Sequence, residues 1–376
     1  MGDLMRRYWI PVLFSHQLPE RDGPPIRAKV LGEDLVAFRD SSGAVGLFGQ
    51  HCPHRGASLF FGRNEENGLR CVYHGWKFDT SGRCVDMPNE PPESNFKDRV
   101  RATAYPCREA GDVIWAYFGP PEQQPGVPEW EWLQVPASHR LGSRRWQESN
   151  WLQAVEGGLD ISHIAFLHRG DNTSVKRGYR PRSSASTFAM GSEPTPTEAG
   201  LMMAAGSTNG RGPSHFMMPF YKIIGQAAPD APIGAHAWVP IDDENCMLYS
   251  WEWNPNRPLS AEEMEYCLDF RSIHAEPLPG SDRTVLNQRN DYQIDRELQR
   301  SGASYTGIKG VGMQDTAMQE SMGAVQDRTQ EHLGTSDIPI IALRRYLLRL
   351  LKEPADDDLP ALDPASHRKL VCQAIA

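Results

Sequence analysis

No stretch of this 376-residue chain approaches the run of about 18 apolar residues that a membrane-spanning helix needs. Basic charge is also short: 39 Lys and Arg face 48 Asp and Glu, a net charge of −9, which argues against a nucleic-acid-binding surface. The opening Met1-Gly2-Asp3-Leu4-Met5-Arg6-Arg7 does not read as a secretory signal, and Arg6 stands where the myristoylation pattern wants Ser or Thr. A disulfide framework is missing too. Five of the seven cysteines (Cys84, Cys107, Cys246, Cys267 and Cys372) are scattered, as in a reducing cytoplasm where cysteine serves as a small buried hydrophobe. No G-x-G-x-x-G fingerprint and no internal repeat occur, so any nicotinamide chemistry needs a partner. A cytoplasmic protein with neither membrane nor nucleic acid as partner is expected. With 39% hydrophobic and 23% charged residues, the composition suits a globular chain of two domains.

The two remaining cysteines sit in paired motifs. Cys52-Pro53-His54 is followed, after sixteen residues, by Cys71-Val72-Tyr73-His74. Two chemistries use two thiolates and two imidazoles. One is a Rieske [2Fe–2S] centre, in which the thiolates hold one iron and the histidines the other. The other is a structural Cys2His2 zinc site. Zinc fingers usually group like ligands, whereas here each loop carries one of each. Gly56 and Gly75 follow the two pairs and permit a tight backbone around an inorganic core. Rieske proteins of the respiratory and photosynthetic cytochrome complexes carry a further cysteine in each loop, joined as a disulfide; the corresponding places here look like Ala57 and Tyr73, which cannot form one.

The segment HCPHRGASLFFG…LRCVYHGWKFDTSGRCVDMP closely resembles the cluster domain of Rieske non-haem iron oxygenases, in particular the large (alpha) subunits of the phthalate and phenoxybenzoate dioxygenase branch. The resemblance covers about residues 8 to 350. It implies that Cys52, His54, Cys71 and His74 carry the cluster and that a second metal site lies downstream. The family pattern D-x2-H-x4-H is met by Asp160, His163 and His168. The two histidines would ligate a mononuclear Fe(II), while Asp160 is not a ligand but links the two centres through histidines on either side. Two imidazoles and one carboxylate on one face of Fe(II) leave positions open for oxygen and substrate. On chemistry alone Asp315, Glu320, Asp327 and Glu331 compete for the carboxylate. The family places its Asp early in a helix with a Glu five residues on, which selects Asp315 with Glu320. Asp327, Arg328, Glu331 and His332 read instead as a structural ion-pair cluster.

The spacing of His163 and His168 carries a geometric expectation. On a regular helix, five steps of about 100° place them about 140° apart, too far for one metal. The helix therefore distorts or ends between them, with Arg169-Gly170-Asp171-Asn172 as a stop and Gly170 near the cap.

The expected fold is α+β: an N-terminal all-β Rieske domain over residues 1–119, a proline-rich linker at 120–130, a catalytic domain at 131–350 and a tail at 351–376. Strands are read at Tyr8–Phe14, Ala28–Leu31, Leu35–Phe38, Val45–Phe48 and Val113–Phe118, with turns at Asp40–Gly43 and Asp79–Gly82. Further strands are expected at 183–190, 200–206, 216–225, 234–240 and 246–253, and helices at 260–275, 284–300 and 312–332. By the resemblance the catalytic domain is a helix-grip fold, one antiparallel sheet wrapped on a long helix. After Arg344 the chain reads as an amphipathic helix packed on its own domain or on a neighbouring subunit, and Asp356–Asp358 as a mobile end.

Met202, Met203, Phe216, Met217, Met218, Phe220 and Trp238 suit an adaptable apolar wall for a planar aromatic substrate. Arg177, Arg180, Arg182 and Arg211 are candidates to hold its carboxylate. The resemblance implies a homotrimer or stacked hexamer, and electrons from NADH through a separate flavin and iron–sulfur reductase. Arg55, Arg63, Arg70, Lys77 and Arg83 around the cluster loops could steer that reductase. The implied reaction is O2-dependent hydroxylation of an aromatic acid, or O-demethylation of a methoxylated aromatic.

Overall fold

The computed structural model describes residues 2–91, 93–170, 192–203, 212–352, 359–368 and 370. Contacts divide the chain into two units, Met1–Pro128 and Glu129–Ala376.

The first unit is mainly β, with a short helix α1 (Gly2–Met5) and brief 3-10 turns between strands. Strands β1 (Trp9–Phe14), β9 (Cys107–Ala110) and β10 (Val113–Tyr117) form one antiparallel sheet in the order β1-β10-β9. A second joins β2 (Ile26–Val30), β3 (Glu33–Arg39) and β4 (Val45–Gly49). The third is a meander of β5 (Arg63–Glu65), β6 (Gly68–Arg70), β7 (Lys77–Phe78) and β8 (Cys84–Asp86). The two expected turns are chemical twins. Asp40 accepts hydrogen bonds from the backbone N–H of Ser42 and Ala44, and Asp79 from those of Ser81 and Arg83. Each closes on a glycine of positive φ, Gly43 at 96° and Gly82 at 80°.

The second unit is built on a seven-stranded antiparallel sheet ordered β11-β17-β16-β15-β14-β13-β12. Its strands are β11 (Arg140–Gln147), β12 (Thr195–Pro196), β13 (Gly200–Met203), β14 (Ser214–Met217), β15 (Tyr221–Ile224), β16 (Ile233–Pro240) and β17 (Cys246–Trp253). Around it run α2 (Glu131–Gln134), α3 (Trp151–Leu159), α4 (Ile164–Leu167), α5 (Ala261–Leu268), α6 (Arg296–Ser301), α7 (Val311–Ser321), α8 (Ile338–Lys352) and α9 (Pro364–Arg368). Helix α3 starts where the Asn150 side chain accepts from the Leu152 N–H, and it packs against β15, β16 and α7. Helix α8 packs on its own domain, with the Tyr346 ring set edge-on to Phe216 at 6.4 Å.

Several expected elements differ. Residues 216–225 are two strands separated by a turn at Met218–Phe220, not one. Residues 284–300 are not a helix: Asp291, Tyr292 and Gln293 take φ of 49°, 50° and 48°, which breaks any helical run before α6. The helix read at 312–332 stops at Ser321, because Gly323 adopts φ of 91° and ends it in a left-handed turn. The strand at 183–190, the last part of that at 200–206, and Asp356–Asp358 lie outside the described residues. Strand β11 was not foreseen.

Gly157 and Gly158 allow α3 its close seating. A Cβ on Gly158 would stand 2.4 Å from Trp238 Cη2, and one on Gly157 2.6 Å from Gln319 Nε2. Gly158→Ala is therefore expected to destabilise the second unit by about 1–3 kcal/mol through overpacking. Urea unfolding checks this: the midpoint should fall with the slope unchanged, and an unshifted midpoint would show that α3 has slack.

Candidate metal centres

In the first unit the two Cys-His loops share one backbone design. The Gly56 N–H donates to the Cys52 carbonyl and the Gly75 N–H to that of Cys71, both at 2.9 Å. The Cys52 N–H donates to Ala57 O and the Cys71 N–H to Trp76 O, both at 2.8 Å. The fifth residue must turn left-handed to close such a loop, and Gly56 and Gly75 do so with φ of 78° and 80°. Both cysteines are buried in the domain core beside Phe38, Phe48, Leu69 and Phe78. The rings of His54 and His74 stand with centroids 4.4 Å apart, and His54 stacks on Trp76.

This donor set fits a [2Fe–2S] group. His54 Nδ1 is buried with no hydrogen-bond partner, a cost that a metal bond removes. Burial, reinforced by the neighbouring Cys71, pushes the Cys52 thiol up to about 12, so a metal is needed to make it a thiolate at neutral pH. His74 is held below its ordinary value by desolvation and by the nearby His54 and Arg55, which keeps its imidazole neutral and ligating. The basic residues around the loops are mostly neutralised. Arg63 and Arg70 pair with Glu65, Arg70 also with Asp86, Lys77 with Glu66 and Arg83 with Asp79. Arg55 lies over the Tyr73 ring. The expected basic steering patch is thus reduced mainly to one arginine.

In the second unit the chain between the histidines is broken, as the spacing required. Helix α3 ends at Leu159, Asp160 turns the backbone while accepting from the Ser162 N–H, and His163 and His168 flank the single turn of α4. Gly170 follows with φ of 86°. Asp315 comes from α7. Its Oδ1 lies 3.4 Å from His163 Nε2 and 3.1 Å from His168 Nε2, and the three ligand atoms lie within 4.8 Å of one another. Both imidazoles are oriented from behind. His163 Nδ1 lies 3.5 Å from Asp160 Oδ2, and His168 Nδ1 donates to Gln314 Oε1 at 2.7 Å. The Gln314 amide is fixed in turn by donating to Ile308 O at 2.9 Å. Histidines whose far nitrogens are held in this way present Nε2 to a metal.

Electrostatics agree. Burial opposes charge on both partners, yet the His163 and His168 imidazoles hold Asp315 well below the usual carboxylate range. Asp160 and Asp315 together overcome desolvation to raise His163 to about 9. A divalent cation would take over that proton's role.

The competing acids are occupied elsewhere. Glu320 accepts from the Glu148 N–H and the Tyr292 hydroxyl. Asp327 caps the turn at 328–330 and is exposed. Glu331 pairs with Arg328 and Arg344, and both arginines reach Glu156 on α3. His332 is exposed and stands outside this network. Sequence reading overlooked Arg145. From β11 this buried residue donates to Gly312 O, Thr316 Oγ1 and Ile273 O, pinning the first turns of α7. Burial pulls it down to about 10, against the favourable charges of Asp315 and Glu320.

Asp160, His163 and Asp315 border a cavity of about 560 Å³, with Phe166, Ile308 and Met318 on its apolar wall. None of the sheet residues proposed as a substrate wall lines it; Phe216, Met217, Met218, Phe220 and Trp238 are core. Arg177, Arg180, Arg182 and Arg211 lie outside the described residues.

Comparison with known proteins places these features. Residues 8–106 match the Rieske [2Fe-2S] domain and residues 217–369 the LigXa C-terminal domain like family. The chain is 39% identical to the 3-chlorobenzoate-3,4-dioxygenase oxygenase subunit of Comamonas testosteroni, over 96% of this chain and 87% of that one. It is 36% identical to the phthalate 4,5-dioxygenase oxygenase subunit of Pseudomonas putida, over 93% and 82%. With the 5,5'-dehydrodivanillate O-demethylase oxygenase subunit of Sphingobium sp. the identity is 30%, over 98% and 82%. The fold is that of the oxygenase in the oxygenase–ferredoxin complex of carbazole 1,9a-dioxygenase, with TM-score 0.64 at 20% identity over 95% of this chain and 92% of that one.

Gln314→Leu leaves the His168 Nδ1–H without its acceptor. It is expected to weaken metal binding by His163, His168 and Asp315 about 10–100-fold while metal held by the two Cys-His loops stays in place. Metal content after equilibrium dialysis against a weak chelator checks this, and undiminished retention would deny Gln314 that role.

Proposed function

The chain belongs to the oxygenase subunits of the Rieske-type aromatic oxygenases, and from that we propose that it hydroxylates an aromatic acid with electrons relayed from NADH by a separate reductase. In this reading Cys52, His54, Cys71 and His74 hold a [2Fe–2S] cluster, and His163, His168 and Asp315 hold one Fe(II). When bound, the cluster supplies single electrons and the mononuclear iron activates O2. The protein's own part is positional. Asp160 and Gln314 fix the tautomers of the two histidines, and Phe166, Ile308 and Met318 offer an apolar surface from which a substrate ring excludes water. Arg296 also lines the cavity and suits a substrate carboxylate.

One observation carries the reading: a carboxylate from α7 meets two imidazoles from the α3–α4 segment in a chain that also holds a Rieske domain. A pure electron carrier would have no use for that second donor set. The relatives named for 3-chlorobenzoate and phthalate support an aromatic acid. The neighbour solved with a ferredoxin supports a multicomponent system, here with a flavin and iron–sulfur reductase. We place the chain in a homotrimer or stacked hexamer in which Asp160 links His163 to His74 of the partner subunit.

The test is iron analysis followed by product analysis with a panel of aromatic acids and a surrogate reductase. About three irons per chain and a hydroxylated acid are expected; two irons and no oxygen uptake would overturn the reading. A second outcome is favoured by the O-demethylase relative. Formaldehyde released from methoxyarenes would select it.

Asp160→Asn is expected to keep both metals bound and reduce turnover to background, because electron delivery depends on the linking carboxylate. Stopped-flow reduction should show a normal cluster that no longer passes its electron on. Wild-type turnover would remove the relay.

A further inference from the structure

A second group of metal-ligating side chains lies in the catalytic unit, apart from the histidines already described. Glu252 on β17, Cys267 in the last turn of α5, and His274 on the following segment bring a carboxylate oxygen, a thiol sulfur and an imidazole nitrogen within 4.8 Å of one another. All three are deeply buried, at 2%, 1% and 2% exposure. We infer that Glu252, Cys267 and His274 form a binding site for a divalent transition metal, zinc by the chemistry of the donors.

Three observations carry this. Cys267 Sγ stands 3.3 Å from Glu252 Oε2. Zinc bonds of about 2.0–2.3 Å at tetrahedral angles place neighbouring ligand atoms about 3.3–3.6 Å apart, so this pair is already at metal-bridged spacing. His274 is oriented as a ligand: Nδ1 lies 2.6 Å from Ser143 Oγ, leaving Nε2 as the donor toward a metal. The peptide that leads into it is fixed at both its polar atoms, by the His274 N–H donating to Ser272 Oγ and by Arg145 donating to Ile273 O.

The donor set also selects the metal. A thiolate with an imidazole favours zinc over magnesium or calcium, which take oxygen ligands. A carboxylate completes three protein ligands, and its second oxygen can supply a fourth. The ligands come from strand β17, helix α5 and the segment between α5 and α6, so the metal would clamp α5 to the sheet.

The experiment uses the iron-loaded holoprotein, incubated with one equivalent of zinc chloride and freed of excess by gel filtration. Zinc content and zinc-edge X-ray absorption are then measured, an edge to which iron does not contribute. About one zinc per chain is expected, with a single sulfur neighbour at about 2.3 Å. Cys267→Ser should lose the sulfur shell and at least about tenfold of the zinc, with iron content and the cluster spectrum unchanged. His274→Gln should lose the zinc likewise. Should either variant fail to fold, the wild-type scattering decides alone. No retained zinc, or zinc with only nitrogen and oxygen neighbours, overturns the site; the latter would place zinc at His163, His168 and Asp315.

Discussion

The structure of the catalytic unit depends on keeping one carboxylate against two imidazoles across about 150 residues of chain. Asp315 has no reason of its own to sit 3.1 and 3.4 Å from His168 and His163; desolvation opposes its charge. Neighbouring features make sense as the means of holding it there. Arg145 ties α7 to the sheet through the carbonyls of Gly312 and Ile273. Gly157 and Gly158 let α3 lie close to both Trp238 and Gln319. Glu156, on the same helix, anchors it to Arg328 and Arg344. Breaking a buried network of this kind leaves an uncompensated charge, which is far more costly than never having built it.

The cluster unit solves the same problem differently. There the loops, not helices, carry the donors, and precision comes from duplicating one backbone turn. The paired N–H to carbonyl bonds, each closed by a left-handed glycine, present two thiols inward while the histidines stay near the loop tips. The histidine falls at the third residue of one turn and the fourth of the other. Repetition of a rigid local motif therefore replaces the long-range bracing seen around Asp315.

What was legible in the sequence follows from this difference. The two Cys-His loops lie in short motifs, so finding the pair and its tight glycine turns needed no tertiary knowledge. The break between His163 and His168 was equally readable, because 3.6 residues per turn forbids a regular helix from serving both. Elements whose form is imposed from outside were missed. Strand β11 reads Arg-Leu-Gly-Ser-Arg-Arg-Trp-Gln, without clean alternation, because Arg145 is buried to hold α7. Residues 291–293 look helical in composition but take left-handed angles. Gln314 was visible beside Asp315, yet its bond to His168, 146 residues away in sequence, was not. The basic look of the cluster loops also misled, since the acids that neutralise them sit two to sixteen residues away.

Two carboxylates, Asp160 and Asp315, face each other across His163. Together they raise His163 to about 9 against the cost of its burial, so charge and desolvation oppose one another on that ring. Gln314 is neutral and holds His168 whichever cation is present, so one histidine keeps a fixed Nε2 while the other responds to charge. That division backs one imidazole with a charge and the other with a neutral amide, so only His163 is tuned directly by a carboxylate behind it.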